Sequence, residues 1–214
     1  MGSAANGGIT RVSDAAAIFA RLQAQLPLDR QAWDPDPGRR PEAAVLVPLT
    51  DEAEPRVLLG RRGRHLKTHP GEVAFPGGKR EPSDASPWVT ALREAEEEVG
   101  IRGAQVTPLG ELAPMITRTD FEVHPCVARV PCGLELVVDT REFDSVFYQP
   151  LAVFADASRL QTLKFEMPGK TYFTPQYQID GDNIWGVTAA ILGQLASVAY
   201  GVPLEMRRGW SIQA

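Results

Sequence analysis

The 214-residue chain carries 22 Lys+Arg against 27 Asp+Glu, a net charge of -5, which argues against a general nucleic-acid binder, whose balance would be basic. Its 43% hydrophobic content is enough for the core of one domain, and no apolar run approaches the roughly 20 residues that span a bilayer. Cys126 and Cys132 make neither a disulfide framework nor a Cys-x-x-Cys metal motif. The N-terminal MGSAANGG lacks the basic start and apolar stretch of a signal peptide, and Asn6 breaks the myristoylation pattern. A reducing, cytoplasmic setting with no membrane contact is the expectation.

In chain order, residues 1–12 read as a disordered tail. SDAAAIFARLQAQL (13–26) has Ile18, Leu22 and Leu26 at four-residue intervals, an amphipathic helix capped by Ser13. A proline-rich arm follows to residue 42 and is compatible with a homodimer. AAVLVPLT (43–50) and RVLLGRR (56–62) read as strands joined by a charged hairpin loop. EVAF (72–75) reads as a short strand leading into the tight turn PGG. Further strand patterns occupy 105–116, 121–130 and 170–180, and 144–154 reads as a strand followed by a short helical turn. NIWGVTAAILGQLASVAY (183–200) has a helical repeat of apolar residues, with Trp185 read as core by default and as part of a ligand wall in the alternative. This order predicts an α+β or α/β sandwich around a mixed sheet.

One helix carries the chemistry. Ser86 is a natural N-cap, Pro87 suits the first turn and Gly100 suits a left-handed C-cap, so a helix is predicted from about Pro87 to about Val99. Trp88, Ala91, Leu92, Ala95 and Val99 share the side that faces the core. Glu94, Glu97 and Glu98 share another sector, at i+3 and i+4 spacing. Carboxylates at a helix C-terminus repel one another and the dipole, whereas a divalent cation on oxygen ligands would cancel that repulsion. A solvated acidic face is the other reading of the same spacing. Arg93, one turn before Glu97, is expected to hold its carboxylate.

GGKREPSDASPWVTALREAEEEVGI (77–101) resembles the Nudix box, G-x5-E-x7-R-E-U-x-E-E-x-G-U with U bulky and aliphatic. Gly78, Arg93, Glu94, Glu97, Glu98, Gly100 and Ile101 match. Asp84 stands where Glu is usual, one residue farther from Arg93, and Ala95 is small for its slot. LLGRRGRHLKTHPGEVAFPGG (58–78) is similar to the segment L-L-T-x-R-[SA]-x3-R-x3-G-x3-F-P-G-G of coenzyme A diphosphatases in that family, with Gly60, Gly63 and Lys67 as departures.

The resemblance implies an α/β/α sandwich, a Nudix domain over about 43–205 and a tail at 206–214. It implies hydrolysis of the pyrophosphate bond of coenzyme A to 3',5'-ADP and 4'-phosphopantetheine with Mg²⁺ or Mn²⁺. Glu94, Glu97, Glu98 and the Gly78 carbonyl are the implied metal ligands. Glu97, Glu98, Arg93 and Glu142 are the candidate catalytic residues, with Asp144 a further candidate base. Arg62, Arg64, Lys67, His69 and Lys79 are the candidate substrate contacts. Alternatives are a diphosphatase for ADP-ribose, NADH or another nucleoside diphosphate derivative, and a non-catalytic nucleotide-binding module. His65 and His69, four apart, read as loop residues rather than zinc ligands; His124 and the two cysteines read as structural.

Overall fold

The computed structural model describes residues 15–28, 32–33 and 40–212. The expected tail 1–12 and the Ser13 cap lie outside these. In chain order come α1 (Ala15–Gln25), β1 (Glu42–Asp51), β2 (Arg56–Arg62), β3 (Val73–Ala74), β4 (Gly77–Lys79), α2 (Pro87–Val99), β5 (Thr107–Glu111), β6 (Met115–Ile116), β7 (Glu122–Pro131), β8 (Phe143–Pro150), β9 (Leu160–Met167), β10 (Lys170–Ile179), β11 (Asp182–Trp185), α3 (Gly186–Tyr200) and β12 (Gly209–Ile212).

Among the described residues β1 to β8 form one mixed sheet and β9 to β12 a smaller antiparallel one. β1 and β7 pair in parallel at the centre of the first, with Ala44 opposite His124 and Leu46 opposite Cys126. Their side chains alternate between two cores, as the two-residue period of a strand requires. Val47, Leu49, Val57, Leu59 and Val127 face α1 and α3, while Ala44, Leu46, Leu58, Cys126 and Ala128 face Trp88, Ala91, Ala95 and Val99 of α2. Burial on both faces explains why β1 reads as an almost unbroken apolar run. The arrangement is the expected α/β/α sandwich.

α2 runs between the caps that its sequence dictates. The Val89 amide donates to Ser86 Oγ at 3.3 Å, and Gly100 at φ 75° turns the chain so that the Gly100 and Ile101 amides close on the carbonyls of Glu96 and Ala95.

Several expectations change. FPGGK is not only a turn: Gly77–Lys79 is β4, antiparallel to β1. Gly77 is required there, because a Cβ would stand 2.5 Å from the Ala44 carbonyl oxygen. The last helix begins at Gly186, not at 183, because Trp185 is extended and Gly186 has φ 70°; residues 182–185 are β11. β9 was not expected, since its largely exposed residues show no clean alternation. The expected tail at 206–214 contains β12, paired with β10. α1 forms as its spacing predicts, with Ile18, Phe19 and Leu22 buried in the α3-side core. Cys126 packs as expected, but Cys132 is exposed.

A side-chain fork at a tight turn binds the second sheet to the first. Asp180 and Gly181, both at positive φ, make the two-residue turn between β10 and β11. Immediately after that turn, Asp182 receives a bidentate fork from Arg61 of β2 at 2.6 and 2.7 Å.

Candidate active site

α2 crosses over β4 and directs its acidic sector at the glycine pair. Glu98 is only 5% exposed and its Oε2 accepts from the Gly77 amide at 2.9 Å. Glu94 lies so close over Gly78 that a Cβ there would overlap its carboxylate. Glu97 extends into solvent. All three line one open cavity of about 760 Å³ with Arg62, Lys79, Asp139, Arg141 and Glu142.

The carboxylates do not converge into a ready cage. Among the described residues no three acidic, histidine or cysteine side chains stand close enough to enclose an ion. Arg93 explains this: its guanidinium lies 3.0 Å from Glu94 Oε1 and 3.4 Å from Glu97 Oε2.

Arg93 is in turn fixed by Asp84, the residue that departs from the box pattern. Asp84 is 3% exposed. It accepts from Arg93 Nε at 3.2 Å and Nη2 at 3.0 Å, from the Thr90 hydroxyl at 2.9 Å and from the Glu81 amide at 2.9 Å. Burial pushes its carboxyl upward, but the bonds from Arg93, Glu81 and Thr90 outweigh this and hold it below the usual range. Thr90 receives the Trp33 indole N–H at 3.2 Å, so the arm braces the same network. The sequence marked Asp84 only as a departure; Trp33 and Thr90 carried no signal.

Electrostatically the site is short of positive charge. Burial raises Glu98 to about 8; Glu94 and Glu142 add to the rise, and the Gly77 amide and Arg62 oppose it. Burial also raises Glu94, against the pull of Arg93.

The wall opposite α2 is the loop ahead of β8. The Asp139 amide donates to the Glu98 carbonyl at 2.8 Å and the Gly63 amide to the Glu142 carbonyl at 2.8 Å. Glu142 pairs with Arg62 at 3.4 Å. Asp139 and Arg141, ion-paired at 2.7 Å, also line the cavity, although sequence reasoning passed over both. Asp144 instead accepts from the Arg64 amide at 3.2 Å and does not line the cavity.

Of the expected basic cluster, Arg62 and Lys79 face the cavity, whereas Arg64 and Lys67 are exposed and line neither this cavity nor the two hollows beside it. His65 and His69 turn to separate partners, the Arg141 carbonyl and Glu72. Two departures in the upstream segment are steric: a Cβ at Gly60 would overlap the Phe143 ring, and one at Gly63 would overlap the His65 ring.

Two further hollows adjoin the cavity. One of about 320 Å³ shares Arg62 and Gly77 with it and is walled by β3, the 117–119 loop, β10 and the start of α3; His69 and Trp185 line it, so Trp185 is a cavity wall rather than core. The other, of about 390 Å³, shares Lys79 and is lined by Arg40, Arg80 and Phe121.

Among the described residues no helix is long and apolar enough to cross a membrane. The NUDIX domain family model matches residues 40–164. The chain is 41% identical over 170 residues to a protein of Yersinia enterocolitica named "Uncharacterized Nudix hydrolase NudL", covering 78% of this chain and 87% of that one. It is 39% identical over 181 residues to the NudL of Yersinia pestis, covering 82% and 90%. Among solved structures it is similar to the Nudix hydrolase RenU of M. smegmatis, with a TM-score of 0.51 at 22% identity over 78% of this chain and 91% of that one, a likeness of fold. Hydrolases of this family generally use divalent metal ions. An acidic helix packed on a Gly-Gly strand, a family model matching over half the chain and relatives matched over most of their length carry one conclusion: this protein belongs to the Nudix hydrolases, enzymes that act on pyrophosphate bonds.

Proposed function

We propose that this enzyme hydrolyses the pyrophosphate bond of coenzyme A and its derivatives, with Mg²⁺ or Mn²⁺, to 3',5'-ADP and 4'-phosphopantetheine. The observation that carries the reading is the buried Glu98 on the Gly77–Gly78 strand, facing a cavity that also presents Glu94, Glu97, Glu142 and the cations Arg62 and Lys79. The substrate assignment draws on the resemblance of residues 58–78 to coenzyme A diphosphatases.

The donor set fits a hard divalent cation. Its atoms are carboxylate oxygens of Glu94, Glu98 and Glu97 with the Gly78 carbonyl, and the rise of Glu98 to about 8 reflects negative potential that a cation would relieve. When bound, the ion supplies positive charge against the diphosphate oxygens and acidifies water.

The remaining work falls to the chain. Arg62 and Lys79 meet phosphate oxygens; the Arg62 Nε is buried with no hydrogen-bond partner among the described residues, and a phosphate oxygen would satisfy it. Arg93, held by Asp84, keeps the Glu94 and Glu97 carboxylates in position. Glu142 takes the proton of the attacking water. The water oxygen bonds to one phosphorus, the bridging P–O bond breaks, and the departing phosphate leaves with that electron pair.

The test is a product assay with Mg²⁺ or Mn²⁺ across coenzyme A, ADP-ribose, NADH and dinucleoside polyphosphates. Coenzyme A is expected to give the highest kcat/KM, and a preference for ADP-ribose would overturn the assignment.

A further inference from the structure

Resting on the diphosphatase reading, we infer that the substrate lies across β4 in one direction: the uncharged pantetheine arm enters the hollow beside Trp185, and the phosphorylated nucleotide arm extends past Lys79. The strand itself orders the sites. Gly77 lines the Trp185 hollow and the carboxylate cavity, Gly78 the carboxylate cavity, and Lys79 the carboxylate cavity and the Phe121 hollow. Two residue steps along a strand cover about 7 Å, comparable to a diphosphate bridge. A substrate whose bridge lies over Gly78 therefore sends its two arms to opposite ends.

The ends differ in chemistry. The first hollow is walled by Phe75, Tyr172, Trp185, Val187 and Ile191. Of its two arginines, Arg62 is shared with the carboxylate cavity, where it pairs with Glu142, and the Arg118 guanidinium sits over the Phe165 ring, 5.4 Å from its centre. Burying a dianionic phosphate among such walls is costly, whereas the gem-dimethyl and amide-linked pantetheine chain suits them.

At the other end Lys79 is exposed and makes no ion pair among the described residues. Its Nζ sits over the Phe121 ring, 5.3 Å from the centre; a phosphate that draws Lys79 off the ring frees that aromatic face for a nucleobase to stack. Tyr172, Trp185, Val187 and Ile191 all lie beyond residue 164, where the family match ends. The selective wall is thus built from the part of the chain that the shared domain does not include.

The experiment pairs Val187→Trp, which fills the first hollow, with Lys79→Ala. Kinetics are measured on coenzyme A and 3'-dephospho-coenzyme A, with 3',5'-ADP as competitive inhibitor. Val187→Trp is expected to raise KM for coenzyme A about tenfold and to leave the Ki of 3',5'-ADP within about twofold. Lys79→Ala is expected to raise that Ki about tenfold and to abolish the preference for coenzyme A over its dephospho form. An unchanged Ki in Lys79→Ala, with a raised Ki in Arg118→Ala, reverses the direction and overturns the inference. Lys79 is exposed, so this comparison decides the matter even if Val187→Trp does not fold. A wild-type enzyme that cleaves coenzyme A while Lys79→Ala changes nothing defeats the direction alone; one that does not cleave coenzyme A defeats the substrate reading first.

Discussion

Replacing Glu98 by Gln is expected to abolish turnover and, in metal-free protein, to make the fold more stable. The carboxyl has a value of about 8 in the folded chain against 4.5 for the free side chain. A raised acid binds more protons folded than unfolded, so its effect on stability is absent well below pH 4.5 and grows more unfavourable as pH rises towards 8. At about 1.4 kcal/mol per pH unit over that window, Glu98 costs the metal-free fold on the order of 4 kcal/mol at pH 8 and under about 1 kcal/mol at pH 5. Glutamine keeps the Gly77 hydrogen bond and removes the titration. Urea unfolding in a chelator at pH 5, 6, 7 and 8 should show the wild type losing about 3 kcal/mol across the range and Glu98→Gln staying nearly level. Hydrolysis with Mg²⁺ should fall at least about a hundredfold, roughly 2.7 kcal/mol of barrier. Parallel pH curves for the two proteins would refute the claim that burial and neighbouring carboxylates strain this residue.

Asp84→Ala removes the anchor of a buried ion pair and should cost about 3–5 kcal/mol in urea midpoint analysis. Because the Asp84 carboxyl is depressed, its contribution holds above pH 3.8 and disappears as pH falls further, so the gap between variant and wild type should close in acid. Thr90→Val severs the bridge from Trp33 to Asp84 without changing shape; a loss of about 1–3 kcal/mol is expected in thermal melts, with turnover falling as Arg93 loosens. Gly78→Ala should fold within about 1 kcal/mol of wild type, since the Glu94 carboxylate end can move aside. Its turnover should still drop at least about tenfold, and full activity would show that the close approach at Gly78 is unimportant.

What the sequence disclosed was local. Ser86, Pro87 and Gly100 fix both ends of α2 by hydrogen bonds within a few residues, and the apolar spacing of Trp88, Ala91, Ala95 and Val99 sets its buried side. The same arithmetic put Glu94, Glu97 and Glu98 in one sector. It did not say that Glu98 is buried and Glu97 exposed, because that depends on where β4 passes beneath the helix. β4 was hidden for the same reason: a Pro-Gly-Gly turn becomes a strand only through its pairing with β1. Arg64 and Lys67 show the converse error, since cations adjacent in sequence leave the site when their loop turns outward. Asp139 enters the cavity through a backbone bond to the end of α2, a contact between distant segments that no spacing rule detects.

The Arg61–Asp182 fork sets a gauge. It clamps the larger sheet, which carries β4, to the smaller sheet, whose β10 lines the Trp185 hollow, and Asp182 directly follows the two-residue turn. The spacing between the carboxylate cavity and the Trp185 hollow is therefore held away from the acidic helix, by this fork and by the Gln149 side-chain amide, which donates to Asp180 at 2.9 Å. Changes on either side of that clamp are expected to reshape the hollow while Glu94, Glu97 and Glu98 keep their places on α2.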